Sequence, residues 1–334
     1  MSSSTLLLEK LERPLRHLFR TTRPVLPFAD SASGIIEGAV RNGVRERMLA
    51  VIGGPRGERL AHVAEACGKE VVRAFVAPGR TIEPAHLERF LDGPDVDAVS
   101  LAHVEAATGS LAPLEALARV VRTRRDVMLL VDAGSSLGGD PLEMDLWQLD
   151  FVFAASEECP VLPSGLSLAV TSKRLAARAR TLDDRGWCFD VVRAESAVRR
   201  RDPEPLPGEP LLERLDTAME SIAARGGMEA GWRRHAELAS RVHAWADTHP
   251  ALSLVAPPGR RSATISTIQL ADANLQEPLL AAWAADSQPL AEPLDEVGSF
   301  RIRHGDCLDD AGAGPARLDA LLAWIDELLT VHTL

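Results

Sequence analysis

The sequence predicts an α/β fold: a mostly parallel sheet covered by helices in a large domain, followed by a small α+β C-terminal domain. Three observations carry this expectation. Between residues 31 and 170, short runs such as RMLAVI (Arg47–Ile52), VMLLVD (Val127–Asp132) and FVFAA (Phe151–Ala155) are apolar at almost every position. Such runs mark strands buried on both faces, as parallel sheets require. Segments of helical periodicity separate them, which supplies the crossovers. Past the charged, proline-rich RRRDPEPLPGE (Arg199–Glu209), read as a loop, the pattern changes to long helices and a few strands.

In order, Ser33–Asn42 reads as a short helix and Arg47–Ile52 as a buried strand. Glu58–Cys67 is an amphipathic helix stopped by Gly68, the usual C-terminal punctuation. Glu70–Phe75 is a strand, and Glu83–Leu91 a helix opened by Glu83 and Pro84. Ala98–Ala102, Val127–Asp132 and Phe151–Ala155 are further strands, with helix Leu114–Thr123 between the first two. Leu166–Thr171 is a strand free to run antiparallel. Helices Leu211–Arg225 and Met228–Thr248 follow, then strands Ala263–Leu270 and Ser299–Arg303 and a final amphipathic helix, Gly314–Leu329. The domains are placed at residues 15–235 and 236–334, with no internal repeat.

The 334 residues carry a net charge of -11, which argues against nucleic acid or an anionic membrane as partner. The N-terminal MSSSTLLLEKLERPL is neither a signal peptide nor a span, and no later stretch is apolar enough to cross a bilayer. A cytoplasmic protein is expected. Cys67, Cys159, Cys188 and Cys307 lack metal-ligand spacing and read as reduced thiols, so no metal site is expected. Of 37 basic residues only Lys10, Lys69 and Lys173 are lysines, a bias of composition that leaves amine chemistry three candidates.

Ligands of open parallel sheets sit at the carboxyl ends of the strands. Asp132 stands there, either to pair with a protonated ring nitrogen or to cap the turn that follows. Asp30-Ser31-Ala32-Ser33-Gly34 precedes a helix and suits phosphate or plain capping. His103, Glu105 and Thr108 in AHVEAATG are structural or catalytic. Arg301 in FRIRHGD is a carboxylate fork or a surface charge.

Taken together, these blocks resemble the class V aminotransferases, the pyridoxal-phosphate family of serine–pyruvate and alanine–glyoxylate aminotransferases. HVEAATGSLAPLEALARVVR is similar to the family's His-x-Glu-x-x-Thr-Gly stretch, and VDAGSSLGGDPLEMDLWQLDFVFAAS to its Val-Asp-Ala-x-Ser-Ser-Leu-Gly-Gly block. LPSGLSLAVTSKR matches the segment past the cofactor lysine, and the likeness spans roughly residues 15 to 330. It implies the type I pyridoxal-phosphate-dependent transferase fold and a homodimer with shared active sites. By the same resemblance, Ser31, Ala32 and Ser33 lie in the phosphate loop, and His103, Thr108 and Ser156 line the cofactor. Asp132 meets the pyridine nitrogen, and Arg301 grips the substrate carboxylate.

One position breaks the pattern. The family's Schiff-base lysine falls on Glu158, inside Ser156-Glu157-Glu158-Cys159, and a gapless match on both sides leaves no other register. A carboxylate cannot form an imine with pyridoxal. At ~4 Å and an effective dielectric of about 20, it repels each anionic group of the cofactor by about 4 kcal/mol. Arg56 replaces the ring-stacking aromatic, the phosphate loop lacks its glycines, Leu206 stands for a threonine, and the N-terminal Pro-Gly-Pro is missing. The expectation is a protein that has lost transamination and acts as a non-catalytic subunit or binding scaffold. It would be a homodimer or a heterodimer with an active paralogue. It would take no cofactor, though a small anionic ligand could occupy the site. One alternative is a lysine-independent enzyme that uses pyridoxamine or pyridoxal phosphate with Glu158 as general base. Another is a reworked site of Glu158, His103, Cys159 and Arg56 around an anionic or metal-bound ligand.

Overall fold

The computed structural model describes residues 3–29, 32–159, 161–202, 204, 206–276, 291–294, 298–304 and 314–332. Two elements precede the first expected helix. α1 (Ser3–Phe19) buries Leu8, Leu11, Leu15 and Leu18, the stripe of an amphipathic helix. β1 (Val25–Ala29) carries Pro27, which has no N–H for a neighbour and suits a sheet edge. Next come α2 (Ala32–Gly43), β2 (Arg47–Ile52), α3 (Pro55–Ala66), β3 (Glu70–Phe75), α4 (Pro84–Leu91) and β4 (Ala98–Ala102). A small hairpin, β5 (Val104–Glu105) and β6 (Ser110–Leu111), leads to α5 (Leu114–Arg122), β7 (Met128–Asp132), β8 (Phe151–Ala155) and β9 (Leu166–Thr171).

The large sheet runs in the order β1-β9-β8-β7-β4-β2-β3. β8, β7, β4, β2 and β3 are parallel, and every position of β7, β8 and β9 is buried. β9 runs antiparallel to β8 because the short connection between them has no room for a crossover helix. β1 then pairs antiparallel with β9 at the edge.

α6 (Lys173–Ala179) and α7 (Val191–Arg200) follow. The expected loop over Arg199–Glu209 therefore begins one residue pair too early, because Arg199 and Arg200 belong to α7. The Asp190 side chain caps that helix by accepting from the Val192 and Arg193 N–H groups. α8 (Glu209–Ala224) and α9 (Gly227–Thr248) lead to β10 (Leu252–Leu254), β11 (Ile265–Leu270), β12 (Ala291–Pro293), β13 (Ser299–Arg303) and α10 (Gly314–His332). These four strands form an antiparallel sheet in the order β10-β11-β13-β12.

Leu49, Val99, Leu130, Phe151 and Leu168 belong to the core of the large sheet, and Leu238, Ile268, Phe300, Leu318 and Ile325 to the second core. α9 serves both, with Met228 in the first and Leu238 in the second. Among the described residues, no helix is long and apolar enough to cross a membrane.

Candidate functional site

The carboxyl ends of β2, β4 and β7 lie side by side, and the loops after them build the site. After β2 comes Gly53-Gly54-Pro55-Arg56-Gly57, where two glycines permit close approach. A Cβ on Gly57 would stand 2.4 Å from the Val51 carbonyl oxygen, and one on Gly54 would stand 2.5 Å from Glu105 Cδ. The first turn of α3 is thus pressed onto the strand ends, and Arg56 in that turn reaches across β4 to Asp132.

Asp132 uses both of its oxygens. Oδ1 accepts the Gly134 N–H at 2.8 Å, and Oδ2 accepts Arg56 Nη1 at 2.7 Å. It is at once a turn cap and the partner of a cation, and that cation is a side chain of the same protein. The pair is well desolvated, with 5% of the Asp132 side chain and 10% of the Arg56 side chain exposed. Arg56 also donates to Ser135 Oγ at 3.3 Å and is ion-paired with Glu158. Its Nε is buried with no hydrogen-bond partner among the described residues.

The other expected residues fall around this cluster or away from it. Ser31, with Asp30, lies outside the described residues. The Ala32 N–H, at the amino end of α2, donates to Glu157 Oε1 at 3.1 Å. Ser33 Oγ accepts Arg59 Nη2 at 2.6 Å. His103 is buried with Nδ1 2.9 Å from Ser136 Oγ, and burial pushes its pKa down to about 4. Burial likewise raises the Glu105 carboxyl above its ordinary value. Thr108 donates to Ser110 Oγ at 2.9 Å and Ser156 Oγ accepts the Gly165 N–H at 3.0 Å, so each braces its own loop.

Arg301, on β13, donates through Nε to Glu292 Oε1 at 2.5 Å and through Nη1 to the Ala106 carbonyl at 3.4 Å. Arg303 is paired with the same Glu292. Cys159 is buried against the Leu137 carbonyl, and burial pushes its pKa up to about 12. A thiol so placed is no nucleophile or thiolate ligand, which removes it from the reworked site considered above.

Asp132, Arg56 and Glu158 therefore meet, while His103 adjoins them through its N–H to the Asp132 carbonyl at 2.8 Å and its ring contact with Ser136. Sequence reasoning missed Glu157, Ser135 and Glu292. The tandem Glu157-Glu158 after a strand end was a usable signal for the first; nothing in the sequence ties Glu292 to Arg301. No lysine enters the cluster. Lys10 bonds Asp216 at 2.5 Å and Glu220 at 2.6 Å, Lys69 bonds the Arg45 carbonyl at 2.9 Å, and Lys173 opens α6.

Residues 58–281 match the family model of the class-V aminotransferases. The chain belongs to that family. It is 27% identical over 266 residues to an uncharacterized aminotransferase of Methanocaldococcus jannaschii, covering 78% of this chain and 68% of the relative. It is also 27% identical over 271 residues to the small subunit of a soluble hydrogenase of a Synechococcus species, covering 76% and 70%. Among solved structures, the ureidoglycine–glyoxylate aminotransferase of Bacillus subtilis superposes with a TM-score of 0.84 at 21% identity, over 99% of this chain and 86% of that one. The fold is thus that of the type I pyridoxal-phosphate aminotransferases.

Membership corrects one expectation. The absence of a cofactor, expected from the alignment of Glu158 with the family's lysine, is at odds with a family whose transaminases depend on pyridoxal phosphate. The residues present fit the two polar ends of that group. Asp132 is a buried carboxylate suited to a protonated ring nitrogen, and the amino end of α2 offers an N–H suited to phosphate. By the resemblance, Glu158 stands at the position of the lysine that meets its aldehyde, and a carboxylate does not fit that group. Bound in an active family member, the group serves as an electron sink.

Proposed function

We propose that this protein is a class-V aminotransferase relative that no longer transaminates. It acts as a non-catalytic subunit that pairs through the family's dimer face and holds pyridoxal or pyridoxamine phosphate without a covalent bond. What supports this reading is the resemblance that puts Glu158 at the lysine position, together with Arg56, which is paired with Glu158 beside Asp132. A carboxylate there cannot serve as an amine, and an ion-paired one is a poor proton shuttle. The relative named as a hydrogenase small subunit supports the reading, since it is a similar chain known by a subunit role.

The test is a transamination assay with alanine and glyoxylate in the presence of pyridoxal phosphate, followed by borohydride reduction and peptide mapping. The expected result is no turnover and no pyridoxyl group on the peptide that carries Glu158. Catalytic turnover by the pure protein would overturn the proposal. Glu158→Lys is expected to gain the absorbance band of a lysine-bound cofactor.

A further inference from the structure

The charge-recognition points of this pocket already carry partners from the chain itself. The Asp132 carboxylate, suited to a cationic ring nitrogen, holds the Arg56 guanidinium at 2.7 Å. The amino end of α2, suited to phosphate, donates from the Ala32 N–H to the Glu157 carboxylate at 3.1 Å. Arg301, suited to a substrate carboxylate, holds Glu292 at 2.5 Å. At each point the sign of the internal partner is the sign of the ligand group that the point would recognise.

We propose that Arg56 and Glu157 determine what this pocket accepts. They stand in for the two charged ends of the cofactor, Arg56 for the ring cation and Glu157 for the phosphate, so that binding is an exchange. A ligand then gains only the difference between its own contacts and those it displaces. The proposal rests on the reading that the cofactor is held non-covalently, because an imine bond would override so small a difference.

The two stand-ins hold with different strength. Arg56 is gripped by Asp132, Ser135 and Glu158 and is mostly out of water. Glu157 is exposed and has the Ala32 N–H as its described hydrogen-bond partner, so it can swing into solvent. Arg56 is therefore the main barrier and Glu157 the lesser one.

Equilibrium dialysis of the full-length protein against pyridoxamine 5′-phosphate tests this, with Arg56→Gln, Glu157→Gln and the double variant beside the wild type. Glu115→Gln, at an exposed α5 position where it pairs with Arg119, controls for the change in net charge. The double variant is expected to bind about tenfold more tightly than the wild type, a difference well within reach of such a measurement. Glu157→Gln alone should give a smaller gain that high salt erases, and the control should give none. Equal binding by wild type and double variant, or an equal gain in the control, would overturn the proposal. Should Arg56→Gln fail to fold, the exposed Glu157→Gln still decides: no gain over the control sinks the exchange. These outcomes are read from binding and not from turnover: wild type and double variant binding alike defeats the exchange, whereas turnover or a pyridoxyl group on the protein defeats the proposed function.

Discussion

Asp132 and Asp140 belong to one block, VDAGSSLGGD, and both are buried, with 5% and 3% of each residue exposed. Their surroundings differ in kind. Asp132 faces the strand-end cluster and is held by a guanidinium. Asp140 faces the second sheet's approach segment and is held by neutral donors, Ser262 Oγ at 2.6 Å and the Ala263 N–H at 2.9 Å. Burial raises the Asp140 carboxyl, and among the described residues the groups that oppose the rise are the neutral donors Ser262, Ala263 and Thr264. One end of the block is held by a counter-charge that another cation could replace. The other is fixed by backbone and hydroxyls, and reads as a seam. A site and a joint thus share one loop, and the partner's charge distinguishes them.

The largest test of that contrast is Arg56→Leu. It leaves Asp132 and Glu158 without their cation and is expected to cost about 3 to 5 kcal/mol in urea unfolding. A loss near zero would mean the pair is not held by charge. Next, Asp140→Ala should cost about 2 to 3 kcal/mol, because the Ser262 and Ala263 donors lose their acceptor. Asparagine separates the two sites further: Asp140→Asn keeps an acceptor and should be the milder change, whereas Asp132→Asn removes the charge that Arg56 needs. The reverse order would break the comparison.

Gly139→Ala probes the seam sterically, since its Cβ would stand 2.1 Å from Thr264 Cγ2. It should cost about 1 to 3 kcal/mol and leave the ligand site untouched. A pH dependence at His103, which holds Ser136 midway between the two aspartates, tests the loop between them. Its folded value of about 4 lies below the ordinary 6.5, so as pH falls the unfolded chain takes up the proton first. Its contribution is complete above about pH 6.5 and is lost progressively towards pH 4. The thermal midpoint should fall across that window, less steeply in His103→Asn; an unchanged slope would show that His103 does not contribute.

The buried strands were legible because each is a local apolar run, and the block around Asp132 was legible as a motif. α7 was not. Its buried residues are Val191, Ala194, Glu195 and Ala197, and the Glu195 charge is met by Arg23, from a distant segment, at 2.9 Å as well as by Arg199 of the same helix at 2.7 Å. β1 was equally hidden, because a five-residue segment with a proline becomes a strand only when β9 presents an edge to it. The site shows the same division. Asp132, Glu158 and Arg56 stood out as positions, but their contact did not.

The sequence by itself determined the alternation of strands and helices, the place of Asp132 at a strand end, and the tandem carboxylates Glu157-Glu158 after β8. These are properties of residue type and local spacing, which survive without knowing what lies opposite. Only the tertiary structure decided which group each charge faces. Arg56 reaches Asp132 from 76 positions away because β4 alone separates β2 from β7 in the sheet. Ala32 meets Glu157 from 125 positions away where α2 and the turn after β8 come together. Strand order is set by packing over the whole sheet, so the pairing of charges at the strand ends is a property of the assembled fold.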